Sequence, residues 1–198
     1  MNIVPYTAIT NNKDTREDGV RIFSEYDKFV SPVYNAKIYK IMPHKFFDYE
    51  VSIWMDGNIT MAKPKEQIVE ELLGDADIGL FRHYKSKGVE WELYWIKYKF
   101  GRHSPVSAEA AKQVAQYLKD GMTAKTQMYM GGIIIRRNAP EVNKFNEAWW
   151  AEICARGQRD QLSLPMVLKE FPEMKLKMIE LNIKHNDYFN YSEHNYLP

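Results

Sequence analysis

The chain has 198 residues, which suits one domain over 1–198 with a core that needs neither disulfides nor a structural metal. Twenty-seven Lys and Arg against 26 Asp and Glu leave a formal charge of +1, so no electrostatic footprint for duplex nucleic acid or an anionic membrane is present. A single cysteine, Cys154, excludes an internal disulfide and any cysteine-rich zinc site.

Ile3 to Thr10 reads as a strand that runs into a polar stretch, Asn11 to Asp18. Tyr34 to Phe47 fits a helix packed on one side, with His44 and Lys45 near its C-terminal end. Glu50 to Met55 is a buried strand that stops at the turn Asp56-Gly57-Asn58. Pro64 opens a helix carrying Ile68, Val69, Leu72 and Leu73 on one face, and Gly74 ends it. Trp91 to Tyr98 alternates loosely, as a strand would. Ser104-Pro105 begins a helix with Ala111, Val114 and Leu118 inward, ending at Asp120-Gly121. Met128 to Ile135 is a second buried strand, interrupted by Gly131-Gly132. Asn138 is placed to cap a helix whose stripe is Val142, Phe145, Trp149 and Ile153. Asp160 is placed to cap a short helix to Leu168, and Leu176 to Ile183 reads as a last strand. This alternation predicts a three-layer α/β domain with a mostly parallel central sheet. No apolar run approaches the roughly 20 residues that span a bilayer, and the N-terminus has no signal-peptide pattern. A cytoplasmic protein is expected, which the lone cysteine also suits.

The strongest chemical signal is Asp56-Gly57-Asn58. A carboxylate just past a buried strand is held at the sheet edge, and Asp and Asn oxygens two residues apart suit a hard cation such as Mn²⁺ or Mg²⁺. The plainer reading is a turn, for which both residue pairs are common. Asp75-Ala76-Asp77 is a rival acidic pair, read as a loop and held as a backup metal site. None of the five histidines forms a helical zinc pair; His185 and His194 lie where a tail can reach back to the sheet edge. Arg136-Arg137 carry guanidiniums whose fork matches phosphate, or else form a solvated pair. Trp150 points away from the buried stripe and offers a stacking wall. Walker, G-x-G-x-x-G and G-x-S-x-G motifs are missing, which counts against kinase, dehydrogenase and ordinary hydrolase chemistry. Aromatic residues make up 14% of the chain and serve cores as well as sugar or base sites.

Taken in order, Tyr6-Thr7-Ala8-Ile9-Thr10, Ala36 to Pro43, Ser52 to Asn58, Gly131 to Asn138, Trp149-Trp150 and Arg159 to Ser163 resemble a GT-A nucleotide-sugar glycosyltransferase. The pattern is similar to the glycosyltransferase-like domains related to plant mucilage and pollen-turgor proteins. It is also similar to the N-terminal glycosyltransferase domain of a chlorella-virus protein that builds capsid glycans, which would imply a host cytoplasm. The resemblance implies a GT-A-like fold with a nucleotide-binding half near 1–100 and an acceptor half near 101–198. It further implies transfer of a hexosyl or deoxyhexosyl group from a UDP-sugar to a glycan acceptor, with Mn²⁺ or Mg²⁺, in a chain that can carry further domains. By the same resemblance Asp56, Asn58 and His194 (or His185) would hold the metal. Tyr6, Thr7, Ala8, Lys37, Asp56, Gly57, Asn58 and Arg136 would hold the donor, and Asp160 and Gln161 would be the catalytic residues, near the transferred sugar or the acceptor. Asn58 stands where that motif has its second acid, so a non-catalytic nucleotide- or sugar-binding module with a decayed metal site is the alternative.

Overall fold

The structure, a computed structural model, describes residues 1–10, 19–86 and 88–192. In chain order the elements are β1 (Ile3–Ala8), β2 (Arg21–Phe23), α1 (Pro32–Ile41), β3 (Val51–Met55), β4 (Ile59–Met61), α2 (Lys65–Leu72) and β5 (Ile78–Arg82). There follow α3 (Val89–Phe100), α4 (Pro105–Lys119), β6 (Tyr129–Arg137), α5 (Pro140–Arg156), α6 (Asp160–Leu168), β7 (Leu176–Ile179) and β8 (Phe189–Tyr191). A 3₁₀ turn, Pro43–Lys45, follows α1.

Six strands form one sheet in the order β2-β1-β3-β6-β5-β7, and β4 and β8 form a separate antiparallel pair. Within the large sheet only β6 runs against its neighbours, so five of the six strands share one direction. Successive residues of a strand face opposite layers, and the core divides accordingly. Ile53, Met55, Ile133 and Ile135 pack under α2 and the β4-β8 pair. Trp54, Ile134, Tyr6 and Leu80 pack under α1, α5 and α6. Helices α3 and α4 pair with each other and reach α6 through Leu162. The result is the expected three-layer α/β fold.

The structure corrects several local expectations. Trp91 to Tyr98 is helical, within α3: Val89, Glu92 and Ile96 are its buried residues, a spacing of three and four rather than two. Helix α4 buries Ser107, Ala110, Gln113, Val114 and Tyr117; Val114 faces inward as expected, whereas Ala110 and Tyr117 take the places expected of Ala111 and Leu118, and Leu118 is exposed. Its cap does follow the sequence, with the Ser107 amide donating to Ser104 Oγ at 3.2 Å. Strands β2, β4, β5 and β8, of three to five residues, are further strands that the sequence pattern does not mark. Strand β6 continues through Gly131-Gly132, where its register against β5 shifts in a bulge. Residue Ala139, not Asn138, precedes α5, and Asn138 instead donates from Nδ2 to the Tyr49 carbonyl. Arg159 occupies the cap position of α6, leaving the Asp160 carboxylate free for another role.

Much of the aromatic content is core. Phe23, Tyr39, Phe46 and Phe47 pile against each other beside Tyr6, with the Tyr39 and Phe46 ring centroids 4.4 Å apart. Trp150 packs edge-on against Phe29 and Tyr34.

Candidate functional site

Strands β1 and β3 both end at one edge of the sheet, and α1 starts there because a helix that follows a strand returns antiparallel to it. The antiparallel β6 begins at this edge and brings Gly131-Gly132 to it; Asp56 N donates to the Gly132 carbonyl at 2.8 Å. A cleft of about 330 Å³ opens here between Ala8 to Thr10, the first turns of α1, Trp54, Asp56 and Gly57, Gly131-Gly132 and the start of α6.

Five charged side chains line it, and four of them meet. Lys37 and Lys40, three residues apart and so on one face of α1, hold the two oxygens of Asp160: Lys37 Nζ lies 2.6 Å from Oδ1 and Lys40 Nζ 2.6 Å from Oδ2. Lys40 Nζ also lies 3.8 Å from Asp56 Oδ1, which accepts a 3.0 Å bond from Trp54 Nε1. Asp160 and Lys40 are buried, whereas the Asp56 side chain is 44% exposed toward the cleft. Burial alone would raise the Asp160 pKa; the Lys37 and Lys40 ammonium groups outweigh it and hold the carboxyl far below the usual range. Burial works to lower Lys40 too, yet the Asp160 and Asp56 carboxylates leave it above its ordinary value. For Lys37, burial first and then the Lys40 charge prevail against Asp160 and pull it down.

The two glycines make room for this cluster. A Cβ at residue 131 would lie 2.9 Å from Lys40 Nζ and 3.1 Å from Asp160 Oδ2; one at residue 132 would first meet the Ile183 and Ile59 side chains, each at 3.2 Å, and then Asp56 Oδ2 at 3.4 Å. Because the first obstacle is the end of a flexible side chain, Gly131→Ala is expected to unseat Lys40 rather than the strand. Its predicted signature is a loss of stability of about 1–3 kcal/mol by urea melting, because the buried Lys40–Asp160 pair is loosened while Lys37 keeps its hold, with weakened binding of any anion that uses Lys40. Equal losses of both would place residue 131 in the fold rather than the site.

Ala8, Lys37, Asp56, Gly57, Asp160 and Gln161 line the cleft. Gln161 donates to the Tyr129 carbonyl at 3.3 Å. Tyr6 and Thr7 do not line it: both are buried, and Tyr6 Oη donates to the Lys40 carbonyl at 3.3 Å. Burial pushes the Tyr6 phenol well above its ordinary pKa. Arg136 is also elsewhere. It is fully buried and donates to Tyr6 Oη, Asn146 Oδ1 and the last carbonyls of α1, at Lys40 and Ile41. The reversed direction of β6 explains this, since its C-terminal end lies at the sheet edge opposite Asp56.

Asn58 lies just outside the cleft, where its Nδ2 donates to the Ser192 carbonyl at 2.6 Å and ties β8 to β4. Asp75 and Asp77 precede β5, which runs with β3, and therefore sit at the far edge; Asp77 Oδ2 accepts from Lys175 N at 2.8 Å. His185 is exposed, and His194 lies outside the described residues. Lys40, Trp54, Gly131 and Arg159 are cleft residues that the sequence reading did not single out. For Lys40 a signal existed, its i, i+3 spacing from Lys37. Among the described residues no three His, Cys, Asp or Glu gather as a metal site.

The chain resembles known proteins in sequence and fold. A probable hexosyltransferase of Arabidopsis thaliana, MUCI70, is 28% identical over 144 residues, covering 67% of this chain and 24% of that protein. The chain thus spans about a quarter of that relative's length. The bifunctional glycosyltransferase WbbM superposes with a TM-score of 0.52 at 9% identity, over 98% of this chain and 46% of the other, which establishes a shared fold. Mouse xyloside xylosyltransferase 1 gives a TM-score of 0.42 at 14% identity, over 82% of this chain and 63% of its own. Residues 20–194 match the family described as TOD1/MUCI70, glycosyltransferase-like domain, and the chain belongs to that family.

Proposed function

We propose that the chain is a glycosyltransferase domain whose cleft binds a UDP-sugar and passes the sugar to a glycan acceptor. The observation that carries this reading is the pair Lys37 and Lys40, two ammonium groups on one helix face, opposite an exposed Asp56 at the sheet edge. Two neighbouring cations neutralise the charge that develops on a leaving diphosphate. The α1 N-terminus at the same cleft, with Pro32 and Val33 in its lining, adds favourable partial charge for an anion.

A divalent cation fits this edge in the manner of a phosphate-borne ion. Mg²⁺ and Mn²⁺ favour oxygen donors, and Mg²⁺ commonly takes one or two carboxylates plus substrate phosphates. Asp56 offers one such carboxylate oxygen, Oδ2, next to the space left by Gly132. When bound, the ion would draw negative charge from the diphosphate.

Asp160 stays ionised in this arrangement. With both ammonium groups on it, it is a weak proton acceptor and a permanent anion facing the cleft. A diphosphate that shares Lys37 and Lys40 would loosen that hold and raise its basicity toward an acceptor hydroxyl. Donor binding before acceptor activation follows from this exchange of partners.

Titration calorimetry of UDP with and without Mn²⁺, on wild type and Asp56→Ala, tests the proposal. Mn²⁺ is expected to tighten UDP binding by about tenfold or more in wild type, a difference of about 1.4 kcal/mol, and to have no effect in Asp56→Ala. Failure of UDP to bind wild type under either condition would sink the nucleotide reading.

A further inference from the structure

A second cleft, of about 310 Å³, adjoins the first and shares Arg159 and Gln161 with it. Its character is different. Trp91 and Trp95, one turn apart on α3, line it with ring centroids 5.4 Å apart and planes at 60°. Trp95 is 39% exposed, and Tyr94, Tyr98 and Phe100 on the same helix are exposed as well. Of these, Trp95 and Phe100 line the cleft together with Trp91, and aromatic side chains left in water beside a cleft offer a ligand an apolar face. Apolar packing does not account for it, because the floor of the cleft is polar. Glu92 there has a 5% exposed side chain, with His83 Nε2 at 3.4 Å and Arg159 Nη2 at 3.5 Å. Arg159 Nε is buried with no hydrogen-bond partner among the described residues.

We infer that this second cleft is the subsite for the acceptor glycan. The inference rests on the reading of the first cleft as the donor site. Pyranose rings present C–H bonds, with partial positive charge, on their faces and hydroxyls around their rims. Indole faces carry the complementary negative quadrupole, while Glu92 can accept from a hydroxyl and Arg159 and Gln161 can donate to one. Ligand sites of this kind combine aromatic walls with a few converging polar groups. Position decides between a saccharide and a protein or lipid partner. Arg159 and Gln161 belong to both clefts, so a saccharide seated on Trp91 and Trp95 adjoins the donor cleft. A docked protein or lipid gains nothing from that junction.

The test uses a printed array of defined oligosaccharides, neutral and acidic, probed with wild type, Trp95→Ala, Trp91→Ala/Trp95→Ala and Asp56→Ala. All are read with saturating UDP and Mn²⁺, and calorimetry measures UDP affinity on the same preparations. Wild type is expected to hold a subset of the glycans, and the double variant to lose them by about tenfold or more while its UDP affinity stays unchanged. Trp95→Ala, whose ring is already partly in water, is expected to lose part of the signal without any change in folding. Asp56→Ala should keep the glycans. Equal glycan binding by wild type and the double variant would overturn the inference, as would wild type holding UDP but no glycan. Glycan binding that depends on the tryptophans in a protein that fails to bind UDP would support this subsite and overturn the donor reading.

Discussion

Asp160→Asn is expected to lower the melting temperature by about 6–20 °C and to cut glycosyl transfer by about 10²- to 10⁴-fold. Asp160 is 5% exposed and stands between two ammonium groups, each at 2.6 Å. Its neutralisation leaves both lysines charged and close together in a buried site. Breaking a buried ion pair in this way costs about 3–5 kcal/mol, most of it from the stranded charge. Adding Lys40→Met to Asp160→Asn removes one of the two stranded charges and should recover part of the loss, giving a clear coupling in a double-mutant cycle. A single variant that melts with wild type would remove the triad from the account of stability.

The pH dependence has a definite sign. The Asp160 pKa is depressed in the folded state, so its contribution is complete above the unfolded value near 3.8 and is lost as pH falls below that value toward the folded one. Lys40, raised, contributes below the ordinary lysine value of 10.5 and loses that contribution as pH rises through its folded pKa. Lys37, lowered, acts in the opposite sense over the alkaline range. The two lysines therefore act in opposite directions at alkaline pH, whereas on the acid side Asp160 acts alone among the three. The gap in stability between wild type and Asp160→Asn should narrow as pH drops below about 4; thermal melts from pH 3 to pH 7 (about four units) would measure it. A gap independent of pH would mean that the loss comes from packing and not from charge.

Arg136→Met is expected to destabilise the fold by on the order of 3 kcal/mol without altering the UDP affinity of the folded protein. The guanidinium serves four acceptors: Tyr6 Oη, Asn146 Oδ1 and the Lys40 and Ile41 carbonyls. Each acceptor left unsatisfied in the core costs about 1–3 kcal/mol, offset in part because a buried charge is removed. Arg136→Lys keeps the charge but loses the planar fork, so it should fall between the two. A lower urea midpoint at unchanged slope would report this loss. A fall in UDP affinity with unchanged stability would instead return Arg136 to the ligand.

The contrast between these residues shows what was readable in the chain. Arg136 and Asp56 both flank an apolar strand, and in sequence both look like edge groups facing a ligand. Local spacing determined the buried strands at Ile53 and Ile134, the stripe from Val142 to Ile153 and the sharp turn at Asp56-Gly57, but not the helix at Trp91 to Tyr98. Apolar periodicity reports which face of an element is buried, and turn residues report where it stops. Periodicity says nothing of the direction in which a strand enters the sheet. Antiparallel β6 carries Arg136 to the edge away from Asp56 and brings Gly131 to the near one. Likewise, Asp160 at the head of a helix looks like a cap. Only the packing of α6 on α5 and β6 sets it on Lys37, 123 residues away, and turns a local hydrogen-bonding residue into the centre of a buried ion cluster. The sequence by itself determined the elements and the residue types available at their ends. Tertiary structure alone decided which ends meet, because charge pairing depends on distance through space and strand direction fixes that distance.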